Sequence, residues 1–333
     1  MVPSMERRRA SRLGRRRLLA LLPLAILLAC GGGSGEDTEA ITLYTCVSDE
    51  TIQPVISSFE SKNAGTEVKL FRAPTGDLNA RIAGDVRSGG LQADVVWGCD
   101  PLTMQGYVDQ DLVGGWIPDG ADAIPAQFRT DDYVGVAVLY MVAVYHDGVP
   151  APSSWADLAG PQYDSVALPD PTVAASALGA LGYFDQAPGY GLDFYSTLAE
   201  RGAEQVSTPD DVTAGVAQGL YQVGITIANS AYLARDGGSP IEVVWPEPGA
   251  VAIYGPIALS QDSADSTLAQ DFISYVISEP GQRVVADAGS YPTLPGVEGP
   301  EVPADAPVVY PDWPQITADK DALLRDYAQV FGG

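Results

Sequence analysis

Residues 41 to 97 constrain this chain most, because the period of their apolar residues keeps changing. ITLYTC (41–46), EVKLF (67–71) and ADVVW (93–97) are short, apolar and strand-forming. The segments between them, up to Phe59-Glu60 and over 78–86, repeat their apolar residues at helical spacing. Strands separated by helices in this way pair in parallel, with helices on both faces of the sheet. Two longer stretches interrupt the alternation, YVGVAVLYMVAVYH (133–146) and AVAIYGPIALS (250–260). Between them lies a second alternating region, with strands at 165–168 and 224–227 and helices from about Thr172 and from Tyr190. A chain that leaves one α/β lobe, builds a second and returns needs two crossing strands, and these stretches supply them.

The expected architecture is therefore α/β, with two parallel-sheet lobes joined by a two-strand hinge. The first lobe takes 41–135 and 256–300, and the second 136–255. A helix is expected over 266–277, and the segment 301–333 is read as irregular until a last helix at 318–331. The hinge is expected near 135–138 and 253–257, where Gly135 and Gly255 allow unusual backbone angles and Pro256 limits twist. Ligands of parallel sheets sit beyond the C-terminal ends of the strands. Those ends read CVSDE, APTGD and WGCDP, all polar and all opening helices.

The N-terminal segment has another purpose. Seven arginines precede an apolar run at 18–29, which is too short to cross a hydrocarbon core of about 30 Å as a helix. Leu27-Leu28-Ala29-Cys30 resembles the lipobox of bacterial lipoprotein signals. That resemblance implies cleavage of the signal peptide 1–29, lipidation of Cys30, and a flexible tether over 30–40 that holds a monomeric, extracytoplasmic domain at the membrane. The arginine pair before the apolar run also permits twin-arginine export. Without residues 1–29 the chain holds 11 basic against 42 acidic residues, a net charge of −31. Nucleic acid and anionic lipid surfaces are excluded as generic partners, so the membrane is met through the anchor alone.

Cys46 and Cys99 each follow a strand of the first lobe. Adjacent strand ends in an oxidising compartment make a disulfide the first reading. A catalytic or metal-binding thiol pair is the alternative. It would have to use His146, the single histidine of the chain, and it has no CxxC or HxxH spacing behind it. Nucleophile-elbow, P-loop, zincin and dinucleotide motifs are missing from the sequence, so no cofactor, metal or catalytic residue is assigned. Asp131-Asp132 and Asp210-Asp211 read as solvated caps, and Asp157 and Ser207-Thr208 as ordinary helix-start residues.

A lipobox, a tether, GDLNARIAGDVRSGGLQADVVWGCDP, VAVYHDGVPAPSSWADL, ALPDPTVAASA and SEPGQRVVADAGSYPTLPGV follow one another in order. Together they resemble an extracellular solute-binding lipoprotein of an ABC importer, in the ferric-iron or aminoethylphosphonate branch of the type II periplasmic-binding fold. The resemblance implies two lobes that close on a small ligand and then dock on a membrane permease driven by an ATPase, without catalysis. The iron ligands of that branch correspond here to Ser48, Cys99 and Ser230-Ala231, with Tyr232 alone surviving nearby. Ferric iron wants anionic oxygens, which serine and a disulfide sulfur do not supply.

An organic anion or zwitterion suits these residues better, with an aminoalkylphosphonate as the named expectation. Ser48, Thr75, Gly76, Thr172, Ser176, Asn229, Ser230 and Tyr232 are the candidates for holding it, beside N–H groups at helix starts that favour phosphonate or carboxylate. Asp49, Asp77 and Asp100 are the candidates for meeting an amine. Trp97 and Trp245 are candidate pocket walls. Ferric iron, alone or as an anion complex, is the alternative ligand, and a lipid-anchored extracellular hydrolase is the remote alternative.

Overall fold

The computed structural model describes residues 38–300 and 302–332. The expected cleavage site, lipidated Cys30 and most of the tether lie outside these residues. Strand β1 (Glu39–Thr45) starts two residues before the sequence pattern does. Its first residues are polar and carry no periodic signal, yet the Glu39 amide donates to the Gly65 carbonyl. Helix α1 (Asp49–Lys62), β2 (Thr66–Arg72), α2 (Thr75–Arg87), β3 (Val95–Trp97) and α3 (Pro101–Val108) complete the first run. β1 lies between β2 and β3 and is parallel to both, with Leu43 opposite Val95 and Thr45 opposite Trp97. The third strand is therefore the neighbour of the first, as the doubly wound pattern requires.

β4 (Val134–His146) then leaves this region. β5 (Val166–Pro169), α4 (Ala175–Gln186), α5 (Gly191–Glu200), β6 (Glu204–Val206), α6 (Pro209–Ala217), β7 (Val223–Ile227), α7 (Ala228–Asp236) and β8 (Ile241–Val244) follow, and β9 (Ala250–Leu259) returns. The sheet order is β2-β1-β3-β9-β4-β7-β5-β6. β5 is parallel to β6 and β7, so each end of the sheet is a parallel set. β9 and β4 run antiparallel through the middle, from Val134 opposite Ile257 to Met141 opposite Val251. Every residue of β9 is buried. Separate apolar cores pack on the two halves, one around Leu43, Phe59, Val96 and Phe272, the other around Trp155, Leu181, Phe184 and Leu198. This is the two-lobed, hinged α/β fold expected from the alternation.

The hinge differs in detail. Neither Gly135 nor Gly255 has a positive φ. A Cβ at Gly135 would lie 2.8 Å from the Phe128 carbonyl oxygen, and one at Gly255 would lie 2.8 Å from that of Gly98. These glycines serve close backbone approach, not rotational freedom.

The chain ends with α8 (Thr267–Ile277), α9 (Glu279–Asp287), β10 (Tyr291–Pro292), β11 (Val308–Val309) and α10 (Trp313–Val330). β10 pairs with β4 and β11 with β9, so the crossing strands each carry a short companion. α10 begins five residues earlier than its apolar periodicity, because Pro314 stands in the first turn and Asp312 caps it by accepting from the Gln315 amide. Ile316 of α10 joins Leu102 of α3 and Leu178 of α4 in one buried cluster. Tyr327 packs edge-on against Tyr195 of α5, 5.1 Å between ring centres. The last helix thus touches elements from both halves. Among the described residues no helix is long and apolar enough to cross a membrane.

Candidate functional site

A cavity of about 120 Å³ lies where the C-terminal ends of the two parallel sets face each other. Its first-lobe wall is Cys46 to Ser48, Arg72, Thr75 and Trp97 to Cys99. Its opposite wall is Val173 to Ser176, Thr208 to Asp210, and Asn229 with Ser230. Ala137 and Leu139 of β4 and Gly255 of β9 form the back. Cys46 and Cys99 are bonded, with their Cα atoms 6.0 Å apart, which ties the β1–α1 turn to the β3–α3 turn in the cavity wall. The two walls also meet directly. The Gly76 amide of α2 donates to the Val173 carbonyl at 3.1 Å.

The helices that open on this cavity are α1, α2, α4, α6 and α7, and they start in an unusual way. α1, α2, α4 and α7 have no side-chain cap, and Ser48 stands at the N-cap of α1 with its hydroxyl unused for that purpose. Of the helices that start elsewhere, α3, α8, α9 and α10 each have a capping side chain, from Asp100, Ser266, Ser278 and Asp312, and α5 has none. A missing cap costs about 1 kcal/mol and leaves first-turn N–H groups to water or to a ligand. At the cleft four starts around one space lack a side-chain cap, and in α2 the Gly76 amide is already taken by the Val173 carbonyl. Only α6 of the five is capped, by a box in which Thr208 accepts from the Asp211 amide and the Asp211 carboxylate accepts from Thr208.

Two charges face the same space. Arg72, the last residue of β2, uses its Nε to donate to the Val47 carbonyl. Asp210, in the first turn of α6, accepts from the Ser230 hydroxyl. Among the described residues neither forms an ion pair, and they do not pair with each other. The Oδ1 of Asn229 is buried in the cavity wall with no partner. Thr51 and Ser290 share a hydrogen bond of 3.0 Å at the first-lobe side.

The model of the bacterial extracellular solute-binding protein family matches residues 41–290. The chain belongs to that family. Among curated proteins the solute-binding protein is 29% identical over 196 residues to the spermidine/putrescine-binding periplasmic protein of Salmonella typhimurium. That alignment covers 53% of this chain, and the chain spans only 56% of the length of that relative. Among solved structures it resembles the periplasmic binding protein AfuA of Actinobacillus pleuropneumoniae, with a TM-score of 0.80 at 17% identity, over 88% of this chain and 99% of that one. Iron-bound HitA of Pseudomonas aeruginosa superposes with a TM-score of 0.75 at 18% identity, over 87% and 99%. At these identities the two structures establish the fold alone. The family is one of transport-associated binding proteins, not of enzymes.

Of the residues singled out in the sequence, the solute-binding protein brings Ser48, Thr75, Ser176, Asn229 and Ser230 to the cavity, together with Trp97. Gly76 forms the contact between the walls, and Thr172 sits beside it, turned to Asp170 by two hydrogen bonds. Asp49 and Asp77 are exposed in the first turns of α1 and α2 and do not line the cavity. Asp100 is fully buried away from it. One oxygen of Asp100 accepts from the Thr103 amide, the other has no partner, and burial raises its carboxyl above its ordinary value. Tyr232 also stands outside the cavity. Its hydroxyl accepts from Trp245 at 2.7 Å, and the Arg235 guanidinium covers its ring. Sequence reasoning passed over Arg72 and took Asp210, which lines the cavity, for a solvated cap. A basic residue at the last position of a parallel strand is the signal that would have found Arg72, because that is where ligands of such sheets sit.

Proposed function

We propose that the protein is the capture component of an ABC importer. It takes a small organic anion or zwitterion, of the aminoalkylphosphonate class, from outside the cell and passes it to a membrane permease and its ATPase. Lipid on Cys30 would hold it at the membrane as a monomer. The observation that carries the ligand class is the set of four uncapped helix starts around a cavity where Arg72, the one lining cation among the described residues, has no ion-pair partner among them. N–H groups at helix starts favour a phosphonate or carboxylate, and a guanidinium binds either with two parallel hydrogen bonds. Asp210 and Asn229 on the opposite wall offer acceptors to an amine. A ligand that engages both walls holds them together, which suits the contact between Gly76 and Val173.

A thermal-shift panel tests this reading, with alkyl- and aminoalkylphosphonates, amino acids, sugar phosphates, polyamines and ferric complexes. Closure on a true ligand raises stability by about 2.7 kcal/mol at a hundredfold excess over Kd. Arg72→Ala should weaken binding about tenfold, the low end for a hydrogen bond to a charged group at a partly exposed site, while Arg72→Lys keeps part of it. A polyamine is the second reading, favoured by the names of the curated relatives and by Asp210. Stabilisation by putrescine or spermidine, with no response to any anion, would replace the first reading. Iron has less support, because Asp210 is the one carboxylate among the described residues that line the cavity.

A further inference from the structure

A second space adjoins the cavity. Ser48, Asp210, Asn229 and Ser230 are shared with a second chamber of about 590 Å³ on the solvent side. The outer chamber lies between the start of α1 and the end of α9 on one side and helices α6 and α7 on the other. These four shared residues therefore lie where a smaller inner space adjoins a larger outer one, at a boundary termed the neck. The charges are ordered along this path. Arg72 lines the inner space alone, Asp210 stands at the neck, and Glu50 lines the outer chamber alone. Among the described residues Glu50 and Asp210 have no cationic partner within the protein. The outer floor is apolar where α7 presents Leu233, a leucine left 64% exposed.

We propose that the outer chamber is a second subsite, and that the ligand is an elongated bipolar molecule. Its anionic head lies by Arg72 and the uncapped helix starts. Its alkyl chain passes the neck, where the unpartnered Asn229 oxygen and Asp210 lie, and covers Leu233. Its ammonium group is held at the outer chamber by Glu50. A ligand that filled the inner space alone would leave Glu50 and Leu233 facing water. This inference rests on the reading of the inner cavity as an anion site and adds the length and the polarity of what binds there.

A homologous series separates the two ideas. The purified protein is titrated calorimetrically with ω-aminoalkylphosphonates carrying two, four and six methylenes, and with alkylphosphonates of the same lengths that lack the amine. The amines should tighten with length, and the longest should exceed its amine-free control by about two- to fivefold, the range of an exposed ion pair. Glu50→Gln should remove that excess while the amine-free series keeps its own order of affinities. An amine series without length dependence, or an excess that survives Glu50→Gln, would overturn the second subsite and leave the anion site standing. Failure of every phosphonate in both series, with a polyamine binding instead, would overturn the anion site itself.

Discussion

Replacing Cys46 and Cys99 together by serine removes a bridge that closes a sequence separation of 53 residues. Loop-closure entropy puts its contribution at about 4 kcal/mol. Each residue of a globular chain contributes about 2.1 cal/mol/K to the entropy of melting, so some 300 residues give about 0.6 kcal/mol/K. The melting temperature should fall by about 6 °C if the molecule unfolds as one unit. If the halves melt separately, only the first transition should move, by about twice as much. Scanning calorimetry of the variant and of the parent protein with and without reductant reads this directly. Intact mass before reduction should show the two thiols of the parent joined. The bridge also fixes two turns of the cavity wall, so the variant should lose ligand affinity as well as stability. Free thiols at both positions in the unreduced parent, or a variant that melts within a degree of it, would refute the reasoning.

Two further predictions concern single residues. A Cβ at position 76 would lie 3.3 Å from the Thr172 carbonyl oxygen and 3.4 Å from the Val173 Cα across the cleft. Gly76→Ala should therefore disfavour the closed state, weaken ligand binding severalfold in titration calorimetry, and leave the melting temperature of the free protein almost unmoved. Asp100→Asn should flatten the dependence of stability on pH. The folded protein holds the Asp100 proton more tightly than the unfolded chain does, so this group's contribution is full below the unfolded pKa of about 4 and is lost as pH rises above it. Denaturant titrations from pH 4 to 7 should show the asparagine variant gaining on the parent as pH increases, and parallel curves would count against it.

How much of this was legible in the sequence depends on where each signal resides. β3 and β9 announced themselves because burial on both faces makes their residues almost uniformly apolar, and β1, β2 and β4 because each holds a run of strand-forming apolar residues. The start of α6 was readable from Thr208 and Asp211, since a capping box is a local device. β6 was missed because Glu204–Val206 is short, polar and only partly buried, and takes its identity from pairing with Ala167 to Pro169. The first turn of α10 was read as loop because the prolines around it suggest irregular chain, whereas the helix uses Pro314 where a missing N–H costs nothing. Asp100 looked like a cleft residue from its place after β3, yet its side chain turns to cap α3. Arg72 and Asp210 gain meaning only when two strand ends, far apart in sequence, face each other.

The order of strands also sets an order of folding. Residues 95–97 of β3 pair on one side with β1, close in sequence, and on the other with residues 257–259 of β9. β5, β6 and β7 lie within residues 166–227 and need only one another to form a parallel set. Contacts between distant parts of a chain carry a larger closure entropy and form more slowly. The middle of this chain can therefore take shape while its first sheet still lacks a neighbour. β3 stays an open edge until β9 arrives, and an unpaired edge invites strands of other chains. The part of the molecule made first is the part completed late, and its exposure to misassembly lasts for the interval between.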